Sequence, residues 1–558
     1  MKGFPFFKPL LPALVLLGVG CGGDSTDDRT PAGDQLALSS VTIGGQSGLS
    51  DFDDVSPDAE IVLDFTAALD AATVEANIYL LDAGGAKVDA SDVYDGAKRV
   101  TLKPSAGLNA YASYRLIVDS GLKSAAGEAI LTGKVIRIRT GLDTSDKFPQ
   151  ISDEELLTKV QQQTFRYFWE GAEPTSGMAR ERTSSGATVT TGGTGFGVMA
   201  MTVAAERGFV TRSEACQRVQ RIVTFLAERA TSYHGAFSHW IDGQTGQTLP
   251  FSADDNGADL VETGLLFQGL LTARAYFDGA DAAESKLRAD ITALWEAVEW
   301  DFFTKEGTEK VLYWHWSPDK GWAMNMPIQG WNEALIVYVL AASSPTHPIG
   351  REVYAEGWAR GGAMRNGKLF YDTVLPLGED YGGPLFWAQY SFLGLNPRGL
   401  SDAYADYWEQ VCNHTRINYA YCVDNPKGYA GYGADCWGLT ASDIPDGYTA
   451  SSPTNDRGVI APTAALSSMP YTPDESMAAL RFFYYKLGDK LWSDYGFIDA
   501  FDLTTGWFDR GMHIAIDQGP IVVMIENYRT GLPWNLFMSD KDVQRGLAEL
   551  GFTVEAGS

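Results

Sequence analysis

The most constraining feature of this sequence is an alternation of two kinds of helix that recurs six times after residue 142. A loop rich in Gly, Trp and Asp leads into an apolar segment with helical periodicity, and a helix with one polar face leads to the next loop. The apolar helices are predicted at about 194–207, 259–276, 332–344, 383–395, 462–469 and 519–529. The polar-faced helices are predicted at about 152–170, 211–230, 284–303, 349–359, 402–420 and 473–492, with a terminal helix near 540–550. Three of them begin with the capping-box pattern: Ser152 with Glu155, Thr211 with Glu214 and Thr472 with Glu475. Six such pairs predict an all-α (α/α)6 barrel over residues 150–558 whose apolar helices form the inner ring.

The loops that precede the apolar helices are the expected location of function. All inner helices of such a barrel begin at the same end, so these loops meet at one rim although they are far apart in sequence. The loop segments are 192–195, 254–257, 314–331, 378–383, 432–443 and 507–519.

The chain before residue 36 has the pattern of an export signal. Residues 1–21 combine two Lys with a short apolar stretch and end in small residues before Cys21, which predicts a lipoprotein signal peptide with lipid attached at Cys21. Residues 22–35 have the composition of a solvated tether. No later segment is apolar enough over a sufficient length to span a bilayer. We therefore expect an exported protein that its lipid anchors to a membrane, facing the periplasm or the cell surface.

Residues 36–142 form a predicted all-β sandwich. Ile61, Leu63 and Phe65 alternate with more polar neighbours, and Ile136 and Ile138 do the same, which is the period of a half-buried antiparallel sheet. The region resembles the Ig-like modules near the start of many bacterial surface proteins. It contains neither Trp nor His, so a spacer role is favoured over glycan binding.

Charge and aromatic content favour a neutral glycan as partner. The net charge of −28 disfavours nucleic acid and acidic polysaccharides. All 15 Trp follow residue 142, and sugar rings stack on such flat apolar faces while carboxylates and amides bind the hydroxyl groups. The Trp residues predicted on the rim are Trp314, Trp316, Trp322, Trp331, Trp387, Trp437 and Trp507. Packing is the better explanation for any one of them, but not for seven on converging loops.

The rim also carries an excess of carboxylates. Hydrolysis of a glycosidic bond needs one protonated carboxyl group for the leaving oxygen and one carboxylate that activates water or attacks carbon. The candidates are Asp254, Asp255, Asp259, Glu262, Glu333, Glu379, Asp380, Asp435, Asp443, Asp509 and Asp517. Asp259 with Glu262 has capping-box spacing, and Asp517 fits an N-cap, so each has a structural alternative. Glu333 differs because Asn332 fits the cap, which leaves Glu333 in the first turn of an inner helix among aromatic residues that raise a carboxyl pKa.

Other catalytic schemes find less support. The six His are scattered without the spacing of a transition-metal site, and the sequence has neither a GxSxG elbow nor a GxxxxGK[ST] loop, so we expect no metal and no cofactor. A lyase that uses Tyr528 or His513 on a uronate is disfavoured by the negative charge. A disulfide between Cys412 and Cys422 fits an oxidising compartment, with Cys436 as a competing partner.

Seven segments, in order, resemble one bacterial family. They are TFRYFW at 164–169, TGGTGFG at 191–197, ADDNGADLVETG at 253–264, GWNEA at 330–334, DCWGLTASD at 435–443, DQGP at 517–520 and ENYR at 526–529. Through them, nearly all of residues 150–555 resembles the family first labelled "putative glucoamylase", whose characterised members are β-1,2-glucanases. The resemblance implies an (α/α)6 barrel and an inverting glycoside hydrolase that releases sophorose or short sophorooligosaccharides from β-1,2-glucan.

The resemblance also implies roles for single residues. Glu333 resembles the general acid and Asp517 the general base, and Glu262 belongs with the acidic residues needed around the scissile bond. The expected substrate-binding residues are Asp255, Asp259, Trp316, Trp322, Trp331, Trp387, Trp437, Arg182 and Arg529. Arg182 and Arg529 fit ordinary ion pairs equally well.

Two alternatives remain open on the sequence. A surface glycan-binding lipoprotein without catalysis needs only aromatic platforms, and a glucoamylase-like hydrolase would act on another glucan. Endo and exo action are not distinguished. In each case we expect a monomer whose partner is a neutral glucan polysaccharide or oligosaccharide.

Overall fold

The computed structural model describes residues 35–143 and 145–555. The described chain forms two compact units, which divide between Gly141 and Leu142. The predicted signal peptide, Cys21 and residues 22–34 of the predicted tether lie outside the described residues. Within the described ranges, the helices are too short or too polar to cross a membrane.

The first unit consists of two β-sheets. Its elements are β1 Leu38–Ile43, β2 Gln46–Gly48, β3 Phe52–Val55, β4 Ile61–Phe65, α1 Ala71–Asn77, β5 Ile78–Leu81, β6 Ala90–Tyr94, β7 Arg99–Pro104, β8 Ser113–Val118 and β9 Lys134–Thr140. One sheet has the strand order β2-β1-β4-β7-β6 and the other β3-β9-β8-β5. Neighbouring strands run antiparallel except β3 and β9, which are parallel.

Strand alternation builds the core of this unit. Ile61 and Leu63 of β4 lie opposite Leu102 and Val100 of β7, and all four side chains are buried. On the other sheet, Ile136 of β9 is buried in the same hydrophobic cluster. The alternation predicted from the sequence is confirmed in β4 and β9, where the predicted apolar residues are buried and the residues between them are more exposed.

The second unit is α-helical. Its helices are α2 Asp153–Trp169, α3 Thr191–Glu206, α4 Arg212–Glu228, α5 Leu260–Tyr276, α6 Ala282–Glu296, α7 Leu335–Ser343, α8 Tyr407–Asp424, α9 Pro462–Leu466, α10 Pro473–Arg481, α11 Gly488–Leu491, α12 Ala515–Arg529, α13 Leu532–Met538 and α14 Lys541–Leu550. The predicted capping boxes of Ser152 with Glu155 and of Thr211 with Glu214 are both present. They fix the first turns of α2 and α4.

Apolar helices form the interior of this unit. Helices α3, α5, α7 and α12 are buried around almost their whole circumference, whereas α2 and α4 bury one face. Helix α5 packs between α3 and α7, and α12 packs on α3 and α9. The approach of α3 to α5 requires glycine, because a Cβ on Gly269 would lie 2.0 Å from the carbonyl oxygen of Gly195. The predicted α/α alternation is confirmed at this level.

Two predicted helices take other forms. The segment predicted at 383–395 makes two 3₁₀ turns, Leu385–Ala388 and Tyr390–Leu393. Ser391 is tied to a neighbouring segment there, because its hydroxyl oxygen accepts the Ile336 N–H over 3.0 Å. The segment predicted at 349–359 contains a π-helical turn, Val353–Trp358.

The predicted capping box of Thr472 with Glu475 is wrong. The Thr472 hydroxyl contacts the Ser468 carbonyl oxygen and the Ser476 hydroxyl instead. Helix α10 begins with Pro473, which has no backbone N–H and therefore needs no capping acceptor at that position.

The predicted disulfide is also corrected. Cys216, Cys412, Cys422 and Cys436, all of the described cysteines, are free and buried. Cys412 and Cys422 both lie on α8. Ten residues of helix separate them by about 15 Å, and a disulfide needs Cα atoms within about 7 Å.

Short strands connect the helices. They are Thr188–Thr190, Ser232–Tyr233, Ala236–Phe237, Trp240–Asp242, Thr248–Leu249, Ala258–Asp259, His315–Trp316, Arg365–Phe370, Thr373–Leu377, Leu400–Ser401, Ala441–Ile444, Gly447–Ala450, Trp492–Ser493, Gly496–Phe497, Phe501–Asp502, Trp507–Phe508 and Thr553–Val554. Thr190 pairs with Trp240, and Asp259 pairs with His315. These two pairings bring loops that are distant in sequence to the starts of α3 and α5.

Candidate active site

Glu333 lies in the turn that leads into α7. The Asn332 side chain accepts a backbone N–H two residues later over 2.9 Å, and α7 begins two residues after Glu333. The carboxyl group is therefore just outside the helix and not in its first turn. The Ser391 hydroxyl donates to the Glu333 carbonyl oxygen and fixes this turn. Burial, and then the charges of Asp259 and Glu262, raise the pKa of Glu333 to about 7.

Asp259 caps α5 with one oxygen and faces two histidines with the other. Its Oδ1 accepts the N–H groups of Val261 and Glu262 over 3.0 and 2.9 Å. Its Oδ2 lies 3.1 Å from His239 Nδ1 and 3.5 Å from His315 Nε2. Burial opposes ionisation, but the hydrogen bonds from both histidines hold the pKa of Asp259 below its usual range. The structural interpretation of Asp259 as the N-cap of α5 is therefore confirmed, and its substrate-binding role stays a prediction.

The two histidines carry positive charge into the site. His315 Nε2 lies 3.2 Å from Asp255 Oδ2. Although burial opposes the charged form, Asp255 and Asp259 raise the pKa of His315 to about 10. Against the same opposing effect of burial, Glu262 and Asp259 raise the pKa of His239 to about 9. Two imidazolium groups therefore balance the buried carboxylates near neutral pH.

Glu262 reaches from the first turn of α5 to the start of α3. Its Oε2 accepts the Gly192 N–H over 2.6 Å and the Thr190 hydroxyl over 3.1 Å. Its Oε1 lies 3.9 Å from His239 Nε2. These contacts take the place of the capping-box bond that the spacing predicts. Burial raises the pKa of Glu262 above its usual range.

A second group, the aspartate cluster, consists of Asp443, Asp499, Asp509 and Asp517. Asp517 is buried in the first turn of α12 and does not occupy the N-cap position, which belongs to Ile514. Asp499 Oδ2 accepts the Asp443 N–H over 2.8 Å. Burial, followed by neighbouring carboxylates, raises the pKa of Asp499 and of Asp509 to about 7. The same causes raise the pKa of Asp517 well above its usual range.

Arg182 provides the positive charge beside this cluster. Its Nη1 donates to both carboxylate oxygens of Asp443 over 2.8 and 3.0 Å. Its Nε donates to Glu181 over 2.9 Å. The guanidinium is thereby fixed in a single orientation.

A cavity of about 300 Å³ reaches Glu262 and His239 as well as Arg182, the cation beside the aspartate cluster. It is lined by Glu181, Arg182, Thr190, His239, Trp240, Phe251, Glu262, Tyr448, Ile514 and Ile516. Phe251 is 50% exposed, and its ring stacks on His239 with centroids 4.3 Å apart. The cavity therefore offers an aromatic face beside carboxyl groups.

Comparison with known proteins identifies the family. A family model described as "Putative glucoamylase" matches residues 325–541, and one described as "Bacterial Ig-like domain" matches residues 41–137. The crystal structure of a protein from Bacteroides uniformis named as a putative glucoamylase is 57% identical, covers 74% of this chain and 100% of its own, and has a TM-score of 0.72. An endo-β-1,2-glucanase from Chitinophaga pinensis, solved with sophorotriose and glucose, is 51% identical, covers 72% of this chain and 99% of its own, and has a TM-score of 0.70. The chain belongs to the putative glucoamylase family.

A curated relative shares the same region. It is an exo β-1,2-glucooligosaccharide sophorohydrolase (non-reducing end) from Parabacteroides distasonis, 48% identical over 421 residues. The match covers 72% of this chain and 58% of the relative, so the chain spans little more than half of that relative's length. The family resemblance and the Ig-like module predicted from the sequence are confirmed.

Two of the Trp residues predicted to bind substrate are core residues in this family member. Trp331 is 4% exposed, and its indole N–H donates to His414 Nδ1 over 3.3 Å. Trp437 is fully buried and donates to the Glu475 carbonyl oxygen over 3.2 Å. Their predicted role is wrong, because packing covers their ring faces.

The other three Trp residues keep part of their surface open. Trp316 and Trp322 are half-buried and both pack on Phe302, with ring centroids 5.7 and 5.3 Å apart. Trp387 is half-buried next to Gly383. The structure leaves their substrate-binding role as a prediction.

Arg529 does not lie near the candidate site. It follows Asp517 by twelve residues on α12, which places it about 18 Å away along the helix axis. Its guanidinium donates to Gln161 Oε1 over 2.5 Å and to the Thr158 hydroxyl over 3.0 Å. The substrate-binding prediction for Arg529 is wrong, because the ENYR motif marks the far end of the helix whose first turn carries Asp517.

Sequence reasoning missed His239, His315, Phe251, Tyr448 and Asp499. Each histidine stands next to a Trp in the sequence. This neighbour is a usable signal of a sugar-binding site, whereas metal-ligand spacing does not indicate either histidine. Asp499 and Tyr448 carried no local signal, because only the fold brings their segments to the start of α12.

Two sets of side chains have the composition of a cation site. Ligand atoms of His239, Asp255 and Asp259 lie within 4.8 Å of one another, as do those of Asp443, Asp499 and Asp509. In the first set the carboxylates are paired with imidazolium groups, and in the second Arg182 binds Asp443. The first set is thus balanced by the protein's own imidazolium groups, whereas the second has more carboxyl groups than Arg182 can pair, and the expectation of no metal stays a prediction.

Proposed function

We propose that this protein is a glycoside hydrolase that cleaves β-1,2-glucan to sophorose or short sophorooligosaccharides with inversion at the anomeric carbon. One observation carries the proposal: the half-buried carboxyl group of Glu333, with its pKa raised to about 7, stands beside the ionised Asp259–histidine group. A carboxylic acid that stays protonated near neutral pH is what protonation of a leaving glycosidic oxygen requires. The names of the relatives support the choice of β-1,2-glucan.

In the proposed mechanism, Glu333 donates its proton to the leaving oxygen as the C1–O bond breaks. A water molecule attacks C1 from the opposite face, and its proton goes to Asp517. Glu262, Asp255 and Asp259 bind sugar hydroxyl groups around the scissile bond. Inversion converts the β-linkage into a product with an α-anomeric hydroxyl group. The half-buried Trp316, Trp322 and Trp387 and the loop residue Arg182 support binding of the neutral glucan.

The experiment is hydrolysis of linear β-1,2-glucan by the purified protein, with starch and β-1,3-glucan as controls. The relatives include an endo-acting and an exo-acting enzyme, so product size is measured over time. Long intermediates indicate endo cleavage, and sophorose from the first minutes indicates exo cleavage. Binding of glucan without release of products would favour a glycan-binding lipoprotein instead.

We also propose that the inner segments close into an (α/α)6 ring. Packing of α12 on both α3 and α9 supports closure, as does the 3.0 Å hydrogen bond from Gln389 to the Ala464 carbonyl oxygen of α9. A crystal structure with an open row of helices would contradict it.

For the cellular context, we propose a monomer that lipid on Cys21 anchors to a membrane after export, with folded domains at 36–142 and 150–558. The composition of residues 1–35 supports this proposal. Cys21→Ser should move the protein from the membrane to the soluble fraction, and light scattering should give the mass of one chain.

A further inference from the structure

Two carboxyl groups of the aspartate cluster lie against each other in the protein interior. Asp499 and Asp517 are 1% and 2% exposed and lie within hydrogen-bonding distance of one another. Contact between two buried carboxylates is strongly repulsive, whereas one proton between them makes a charge-assisted hydrogen bond.

Within the part of the chain that the structure describes, each of the two carboxyl groups has one oxygen that lacks a hydrogen-bond donor. Asp499 Oδ2 accepts the Asp443 N–H over 2.8 Å. Asp499 Oδ1 and Asp517 Oδ2 have no hydrogen-bond partner among the described residues. A buried polar atom without a partner is costly, and a proton shared by the two carboxyl groups removes that cost.

The surrounding charges do not provide another partner. The titratable and charged groups that face the pair are Asp443, Asp509, Arg182, Glu181, Tyr390 and Tyr448. Arg182 is the cation among these described groups, and its donors are committed to Asp443 and Glu181. Burial raises the pKa of Asp517 well above its usual range and that of Asp499 to about 7, in the direction that keeps a proton in the pair.

We propose that Asp499 and Asp517 form a dyad that holds one shared proton near neutral pH, and that the general-base function belongs to this dyad. Asp499 is then a positioning residue that acts through Asp517. When the attacking water gives its proton to Asp517, the proton already in the dyad moves to Asp499, so the dyad goes from one proton to two and releases one to solvent afterwards. The inference rests on the proposed role of Asp517 in hydrolysis.

The charge of the dyad can be measured without substrate. Native electrophoretic mobility is compared at about pH 8.5, where Glu333 and Asp509, with pKa values of about 7, are ionised. If the dyad holds one proton, it has one negative charge. Asp499→Asn and Asp517→Asn alone should then leave the net charge unchanged, and the double variant should lose one negative charge. The matched control is Asp456→Asn, which removes a buried carboxylate that accepts hydrogen bonds from Tyr421 and Tyr432 and should lose one negative charge.

The other outcomes overturn the proposal. A loss of one charge in each single variant means that both carboxyl groups are ionised, and no loss in the double variant means that both are protonated. If the double variant does not fold, the infrared carbonyl band of a protonated carboxyl group at the same pH decides, because it must disappear in each single variant. These readouts need no glucan, so they hold even if the proposed activity fails.

Activity adds a second test. In Asp499→Asn, the amide still hydrogen-bonds to Asp517, and Asp517 carries the negative charge. The kcat of this variant should therefore stay within about 10-fold of wild type. Asp499→Ala removes that partner and should lower kcat by about 10² with little change in KM. Equal losses in Asp499→Asn and Asp517→Asn would overturn the positioning role.

Discussion

The backbone N–H of Gly192 donates a 2.6 Å hydrogen bond to Oε2 of Glu262, and this bond joins the start of α3 to the first turn of α5. This bond explains the Gly-rich TGGTGFG segment by structure and not by nucleotide binding. A Cβ at Gly192 would lie 2.8 Å from that same oxygen, so a larger residue at this position would push the Glu262 carboxylate aside.

Gly192→Ala should therefore displace the Glu262 carboxylate and lower kcat/KM by about 10-fold. Thermal stability should change little, because alanine favours the helix and offsets part of the strain. The control is Gly48→Ala, where the nearest atom to a new Cβ is 3.7 Å away. Wild-type kinetics in Gly192→Ala would show that the position of Glu262 does not matter.

Glu333→Gln removes the transferable proton and keeps the size of the side chain. We expect kcat to fall by about 10² or more while substrate affinity stays close to wild type. In the wild type, kcat should fall as pH rises through about 7, because the acid must be protonated. An unchanged kcat in the variant would move the acid role to Glu262.

Stability gives an independent readout of the same carboxyl group. Its folded pKa of about 7 lies above the ordinary value of 4.5, so the stability that protonation provides is present below about 4.5 and is lost as pH rises through about 7. The Tm of Glu333→Gln should match wild type at low pH and exceed it at about pH 8. Equal Tm values at both pH values would show that the carboxyl group is not desolvated.

Many of the helices could be predicted because their causes are local, and Glu333 could be placed at the entry to an inner helix, although it lies in the turn before α7 and not in its first turn. Apolar periodicity gives α3 and α5, and the capping boxes at Ser152 and Thr211 are satisfied within four residues. Asp443, Asp509 and Asp517 could be predicted on one rim, but Asp499 could not, because only folding brings its segment to the start of α12. Arg529 was placed wrongly because a shared motif does not show which end of a helix faces the site.

His315→Gln tests the charge balance around Asp255 and Asp259. It leaves the buried Asp255 without its imidazolium partner and Asp259 with His239 alone, which should cost about 3 kcal/mol of stability at neutral pH. The folded pKa of His315 is about 10, above its ordinary 6.5, so its stabilisation is present below about 6.5 and is lost as pH rises through about 10. The difference in Tm between variant and wild type, measured by circular dichroism, should therefore shrink towards pH 10. A difference that does not depend on pH would exclude the ion pair as its cause.

Phe251→Ala tests the open aromatic face of the cavity. A stacked sugar ring contributes about 1 kcal/mol, so KM for β-1,2-glucan should rise about fivefold while kcat changes little. Leu369→Ala, which removes a 61% exposed side chain on the 365–370 strand, is the matched control. A fall in kcat with constant KM would assign Phe251 to the support of His239 and not to binding.

The most direct test of the account is the anomeric configuration of the product first released from linear β-1,2-glucan, followed by proton NMR. The expected products are sophorose or short sophorooligosaccharides whose new reducing end appears first as the α-anomer, and this signal should be lost in Glu333→Gln. A first product in the β-configuration would contradict inversion. Turnover of starch or β-1,3-glucan with inactivity on β-1,2-glucan would contradict the proposed function itself.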